Sequence, residues 1–200
     1  CSFGNGYRLT GNEKYKQVLL KGAESLSTRY KDHIGVIRSW DFNRAVWQYP
    51  VIIDNMMNLE LLEWASKNSD NSRFAAIARS HADVTLKNHF RADYSCWHVV
   101  SYDTITGQPE KKHTRQGYSH ESSWSRGEAW ALYGYVMMYR ETQQKHYLVH
   151  AKKVANYILT HPRMPEDGIP YWDYDAPDIP DTYRDASAGA IMASAFIELS

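Results

Sequence analysis

The stretch Gln116–Trp130 puts an amide, two indoles, a guanidinium and a glutamate around the expected start of a helix. Trp124 and Trp130 offer flat apolar faces, and Arg126 a planar fork of donors that matches a carboxylate. Such a set suits a sugar acid. The plain alternative is that both tryptophans are core and Arg126 pairs at the surface, because aromatics at helical spacing are usually core.

Asp54 is the second focus. Pro50 fits the first position of a helix, which places Asp54 in its first turn, where an acid can simply accept free backbone N–H groups. Burial among Ile52, Ile53 and Met57 would raise its pKa, and Asn58, four residues on, would share its face and hydrogen-bond it. A carboxyl held protonated near neutral pH is what a general acid needs. Gln116, His98 and Arg126 are the natural partners for an anionic substrate. A lone histidine is nonetheless more often structural than catalytic, and Gln116 reads equally well as a solvated turn residue. His113 and His120 flank Gln116 and add donors.

Other polar clusters carry less. The aromatic and acidic run Gly168–Pro177 does not match a Ca²⁺ loop and reads as a rim that leads to Arg184–Asp185, where Asp185 can cap a helix and brace the cleft. His146 and His150 lie one turn apart without a third ligand, which argues against zinc. No metal or cofactor is implied.

Helices must position these residues. The spacing predicts them at about 11–30, 51–67, 71–89, 126–141, 145–160 and 185–199, with a loop at 92–114 that has room for a short strand pair and an irregular, proline-rich segment at 162–184. Tyr15-Leu19-Ala23, Phe74-Ala78-Ala82 and Tyr147-Ala151-Ala155 repeat one pattern, each after a short polar lead-in. More apolar helices alternate with them. That alternation predicts stacked helical hairpins, with buried helices inside and amphipathic ones outside. The inner helices begin near Pro50, Trp124 and Arg184, at one end of the ring, where the polar residues also lie. Three hairpins form only an arc, so the 200 residues read as one domain, an internal fragment of a larger toroid.

Composition sets bounds. Net charge is zero, so nothing in the overall charge points to nucleic acid, and no stretch has the length of an apolar membrane span. Cys1 and Cys96 allow at most one disulfide. The count of 7 Trp and 15 Tyr suits either a carbohydrate cleft or a helical core with amphipathic rings at its margin.

Taken together, Val51-Ile52-Ile53-Asp54-Asn55-Met56-Met57-Asn58-Leu59, Gln116-Gly117-Tyr118-Ser119, Ser123-Trp124-Ser125-Arg126-Gly127-Glu128-Ala129-Trp130, Pro170–Pro177 and Arg184-Asp185-Ala186-Ser187 resemble glycoside hydrolase family 88, the unsaturated glucuronyl hydrolases. The resemblance implies an all-α (α/α)6 barrel, of which this chain is about half, and a bacterial setting in periplasm or cytoplasm. It also implies an unsaturated uronic-acid oligosaccharide as substrate, hydrolysed by hydration of the C4=C5 double bond, with no nucleic acid or membrane partner. By position, Asp54 resembles the general acid/base of the family. Gln116, Trp124, Arg126 and Trp130 resemble its substrate-binding residues, His98 a contact near the uronate and Trp40 an aromatic of the cleft. The chain departs from the family at Arg115, often histidine, at His120, often an acid, and at Glu128, usually glutamine. The family's His-Asp motif would lie upstream of Cys1. Two other readings share the motifs: a rhamnogalacturonyl hydrolase acting on pectin products, and an inactive sugar-binding or scaffold module.

Overall fold

Asn12 and Asp185 show how the sequence starts its helices. The Asn12 side chain accepts from the Lys14 N–H and opens α2 (Glu13–Ser27), and Asp185 accepts from the Ala188 N–H and opens α7 (Ala186–Leu199). The computed structural model describes residues 2–200; Cys1, and with it any bond to Cys96, lies outside them. In chain order the remaining elements are α1 (Ser2–Thr10), β1 (Tyr30–Lys31), β2 (Val36–Ile37), β3 (Pro50–Ile52), a 3₁₀ helix (Ile53–Asn58) and α3 (Leu59–Lys67). They continue with α4 (Arg73–Asn88), β4 (Val99–Tyr102), β5 (Pro109–His113), α5 (Ser125–Thr142) and α6 (Lys145–Thr160), ahead of α7.

Burial sorts the helices into two kinds. α4 buries Phe74, Ile77, Ala78, His81, Ala82 and Thr85, and α6 buries Tyr147, His150, Ala151, Val154, Ala155 and Ile158. Both sets follow the i, i+3, i+4 spacing of a single stripe, as expected for outer helices. α5 instead buries the run from Gly134 to Met138 without a break, so it is enclosed on all sides. It packs against α6, α7, α3 and the 3₁₀ helix, while α3 packs on α4 and α2. Gly134 permits the closest of these approaches: a Cβ there would meet Met56 at 2.4 Å, so the small residue lets α5 lie directly on the 3₁₀ helix. Among the described residues no helix is long and apolar enough to cross a membrane.

Helices dominate, but two small sheets supplement them, and one changes the start of the expected 51–67 helix. Val51 and Ile52 pair antiparallel with Val100 and Val99, and β4 pairs onward with β5. β-branched residues favour this extended pairing over a first helical turn. The expected helix therefore becomes β3, a 3₁₀ turn and α3. The expected 11–30 helix ends at Ser27, because Tyr30–Lys31 pairs with Val36–Ile37. α1 was not expected; Gly4 and Gly6 weaken its helical signature. The other four helices lie within two residues of the expected ends. The 162–184 segment is irregular, joined to its surroundings by the isolated bridges Trp124–Asp173 and Tyr171–Arg184.

Candidate active site

Asp54 stands in the first turn of the 3₁₀ helix, one residue after Ile53, whose N–H donates to the His98 carbonyl at 3.0 Å. This bond locks the 3₁₀ helix to the start of β4 and brings Asp54 beside the His98 ring. The nearest approach, Oδ2 to Nε2, is 3.7 Å, and neither buried atom makes a hydrogen bond. The expected bond from Asn58 is not formed. A 3₁₀ helix turns every three residues, so i and i+4 do not share a face.

The protonation of the pair follows from its surroundings. His98 Nδ1 accepts from the backbone N–H groups of Arg115 at 3.2 Å and Gln116 at 3.3 Å, so the ring proton sits on Nε2, aimed at Asp54. Burial, with smaller contributions from His89 and Arg115, pushes the His98 pKa down to about 3. Burial pushes Asp54 up to about 6, opposed by its own backbone N–H and, less, by Arg126. Near pH 5 both groups are neutral, so their contact is a dipole facing an acid and not an ion pair.

The opposite wall comes from α5 and α7. Trp124, buried at the N-terminal end of α5, packs against His98 with centroids 4.3 Å apart and the ring planes tilted by 32°. Gly127 allows this packing, since a Cβ there would meet Trp124 at 3.2 Å and Ile53 at 3.3 Å. The Arg126 guanidinium lies 5.6 Å from the Trp124 ring, and its Nε and Nη2 donate to Asp185 Oδ2 at 3.0 and 2.8 Å. Asp185 thus caps α7 with one oxygen and aims Arg126 with the other. Trp130, half-buried one turn after Arg126, meets Tyr133 edge-on.

The remaining candidates sit at the margin. Gln116 contributes its N–H to His98 while its side chain is exposed. Trp40 stacks on Phe42, and the Arg115 guanidinium lies over both rings at 5.6 and 5.2 Å. Asp54, His98, Trp124 and Arg126 therefore form one contiguous cluster, with Gln116 tied in through its backbone; Trp40 meets Phe42, Trp47 and Arg115 instead, and Trp130 meets Tyr133.

Two buried acids that the sequence reading left without a role hold this cluster. Asp173 Oδ2 accepts from the Tyr118 N–H and the Ser122 hydroxyl, fixing the loop after Gln116, and Asp175 accepts from the Ser123 N–H. The acids of the Gly168–Pro177 run are thus hydrogen-bond acceptors within the loop framework. Glu128 is the other acid, buried between Gly127 and Ala129 on α5. His146 meets Asp83 Oδ1 at 3.1 Å, whereas His150 packs edge-on to Phe90 and Tyr135. Among the described residues no group of His, Cys, Asp and Glu is placed to hold a metal ion.

No protein-family model matches the chain. An unsaturated glucuronyl hydrolase of Formosa agariphila is 51% identical over 200 residues, all of this chain and 50% of that protein. An unsaturated chondroitin disaccharide hydrolase of Streptococcus agalactiae is 35% identical over 193 residues, 96% of this chain and 48% of that protein. Among solved structures, an unsaturated glucuronyl hydrolase specific for heparin superposes with a TM-score of 0.96 at 49% identity, covering 100% of this chain and 53% of that one. The chain spans about half the length of the relatives it matches. Over that half, its sequence and its partial α/α barrel are similar to those of the unsaturated glucuronyl hydrolases.

Proposed function

We propose that the protein containing this chain hydrolyses 4,5-unsaturated glucuronyl oligosaccharides of the kind released by glycosaminoglycan lyases, with Asp54 as general acid and base. The observation that carries this reading is the setting of Asp54: largely hidden from solvent, bonded to no cation, its pKa pushed up to about 6 by burial, and across from an arginine aimed by Asp185. In this reading Arg126 takes the uronate carboxylate while Trp124 and Trp130 offer apolar faces to the sugar, with Trp40 further along the cleft. Gln116 and His98 add polar contacts at the ring.

The chemistry follows from that placement. Protonated Asp54 gives its proton to C4, and the positive charge that develops at C5 is shared with the ring oxygen. The carboxylate left on Asp54 then takes a proton from water as the water oxygen bonds to C5. The resulting hemiketal opens and releases the attached sugar. Because the anomeric carbon is not attacked, the spacing of two carboxylates that distinguishes retaining from inverting glycosidases has no bearing here.

The test is loss of the ultraviolet absorbance of the conjugated enol acid. The full-length protein is expected to abolish it with heparin-derived or chondroitin-derived unsaturated disaccharides, the two classes that the names of its relatives suggest. Asp54→Asn is expected to slow this by about 10³-fold. Binding of these disaccharides without any loss of absorbance would instead favour a sugar-binding module.

A further inference from the structure

Glu128 is fully buried in the first turns of α5, yet it faces the backs of the site residues and not the cleft. Its Oε1 accepts two hydrogen bonds, from the Cys96 N–H at 2.9 Å and from the Ser123 hydroxyl at 2.7 Å. Cys96 lies two residues before His98, and Ser123 one residue before Trp124. A single oxygen therefore ties together the two segments that carry the His98 and Trp124 rings. Its other oxygen, Oε2, is buried without a hydrogen-bond partner.

We propose that Glu128 is a positioning residue that works as a neutral acid, holding the packed His98–Trp124 pair and through it the approach of His98 Nε2 to Asp54. This rests on the reading of the site given above. An acceptor at Oε1 is all that the two donors need, and a charge would leave Oε2 an unmet anion in the core. Burial pushes the Glu128 pKa up to about 7, against the Cys96 N–H, the Ser123 hydroxyl, the more distant Arg91 guanidinium and, least, the Cys96 thiol. The other titratable groups around it are a thiol and two hydroxyls that stay protonated, and of these only the Cys96 thiol acts on it, as a donor that favours its ionisation. The Cys96 thiol and the Tyr157 and Tyr174 hydroxyls are all pushed up by burial and raised further by Glu128, and Cys96 also feels Asp54 beyond it. A glutamine would present the same oxygen and never ionise.

The experiment compares full-length wild type with Glu128→Gln and Glu128→Leu between pH 5 and 9. It reads kcat/KM on an unsaturated disaccharide alongside tryptophan fluorescence, to which Trp97 and Trp124 beside the clamp contribute. Glu128→Gln is expected to match wild type within about twofold at pH 6 and to lose a transition near pH 7 that wild type shows in both readouts. Glu128→Leu strands both donors and is expected to lose about tenfold or more in kcat/KM at pH 6. Superimposable profiles for wild type and Glu128→Gln would overturn the proposal, as would a folded Glu128→Leu within twofold of wild type. Should Glu128→Leu not fold, the glutamine comparison decides alone. Should wild type turn over no unsaturated disaccharide, the proposed function fails, and the fluorescence titration still decides the state of Glu128.

Discussion

Asp54 and Asp185 make an instructive pair. Each lies at the start of a helix and each is largely hidden from solvent, with side chains 13% and 4% exposed. Asp185 has both oxygens engaged, one on the Ala188 N–H and one on the Arg126 guanidinium. Asp54 Oδ2 has no partner and faces a neutral imidazole. The same residue type is thus fixed as a charged brace on one wall and kept as a proton reservoir on the other, and what differs is the group placed opposite. A guanidinium at 2.8 Å stabilises a carboxylate, whereas apolar burial without a cation favours the acid.

Breaking the brace should have the largest effect on substrate binding. In the proposed site, Arg126→Ala removes the cation for a substrate carboxylate and leaves Asp185 buried without its partner. KM for an unsaturated disaccharide should rise by about 10² or more, measured on full-length protein, with a fall in thermal stability alongside.

Relieving the other wall should do the opposite to stability. The folded pKa of Asp54 lies above its unfolded value, so the native state holds a proton that the unfolded chain releases as pH rises from about 4 to about 6. Stability is lost across that window, and above it the ionised carboxylate is a liability. Asp54→Asn should therefore raise stability above pH 6 by up to about 3 kcal/mol, and the gain should vanish below pH 4. Thermal unfolding of wild type and variant at pH 3.5 and 7.5 would show it. An equal shift at both pH values would mean that the residue is not strained by burial.

The smallest effect is expected from Asp185→Asn. An asparagine can still cap α7, so stability should change by less than about 1 kcal/mol, while the weakened hold on Arg126 should raise KM by about tenfold. A larger loss of stability than of affinity would recast Asp185 as a cap alone.

Much of this architecture is legible in the sequence because it depends on periodicity. The stripes on α4 and α6, the unbroken burial of α5 and the common location of the inner helix starts all follow from residue spacing. The polar lead-ins mark the helix boundaries well. What escaped depends on contacts distant in sequence. Val51 and Ile52 read as helix until β4, almost fifty residues away, offers them a ladder. The resulting 3₁₀ turn is why Asn58 does not reach Asp54. The tautomer of His98 is set by the amides of Arg115 and Gln116, and the partners of Glu128 come from two other segments; neither is encoded in local pattern. The pairing of Asp185 with Arg126 was half visible, since a cap needs only local sequence while the ion pair needs α5 and α7 side by side.

The account turns on the protonation of Asp54, and ¹³C NMR of its side-chain carboxyl measures that directly. Labelled full-length protein would be titrated from pH 3 to 8, with the resonance assigned by its absence in Asp54→Asn. The account predicts a midpoint near 6, about two units above an unperturbed aspartate. A midpoint at or below 4 would mean that Asp54 is already a carboxylate throughout the working range, and it would contradict its role as the proton donor.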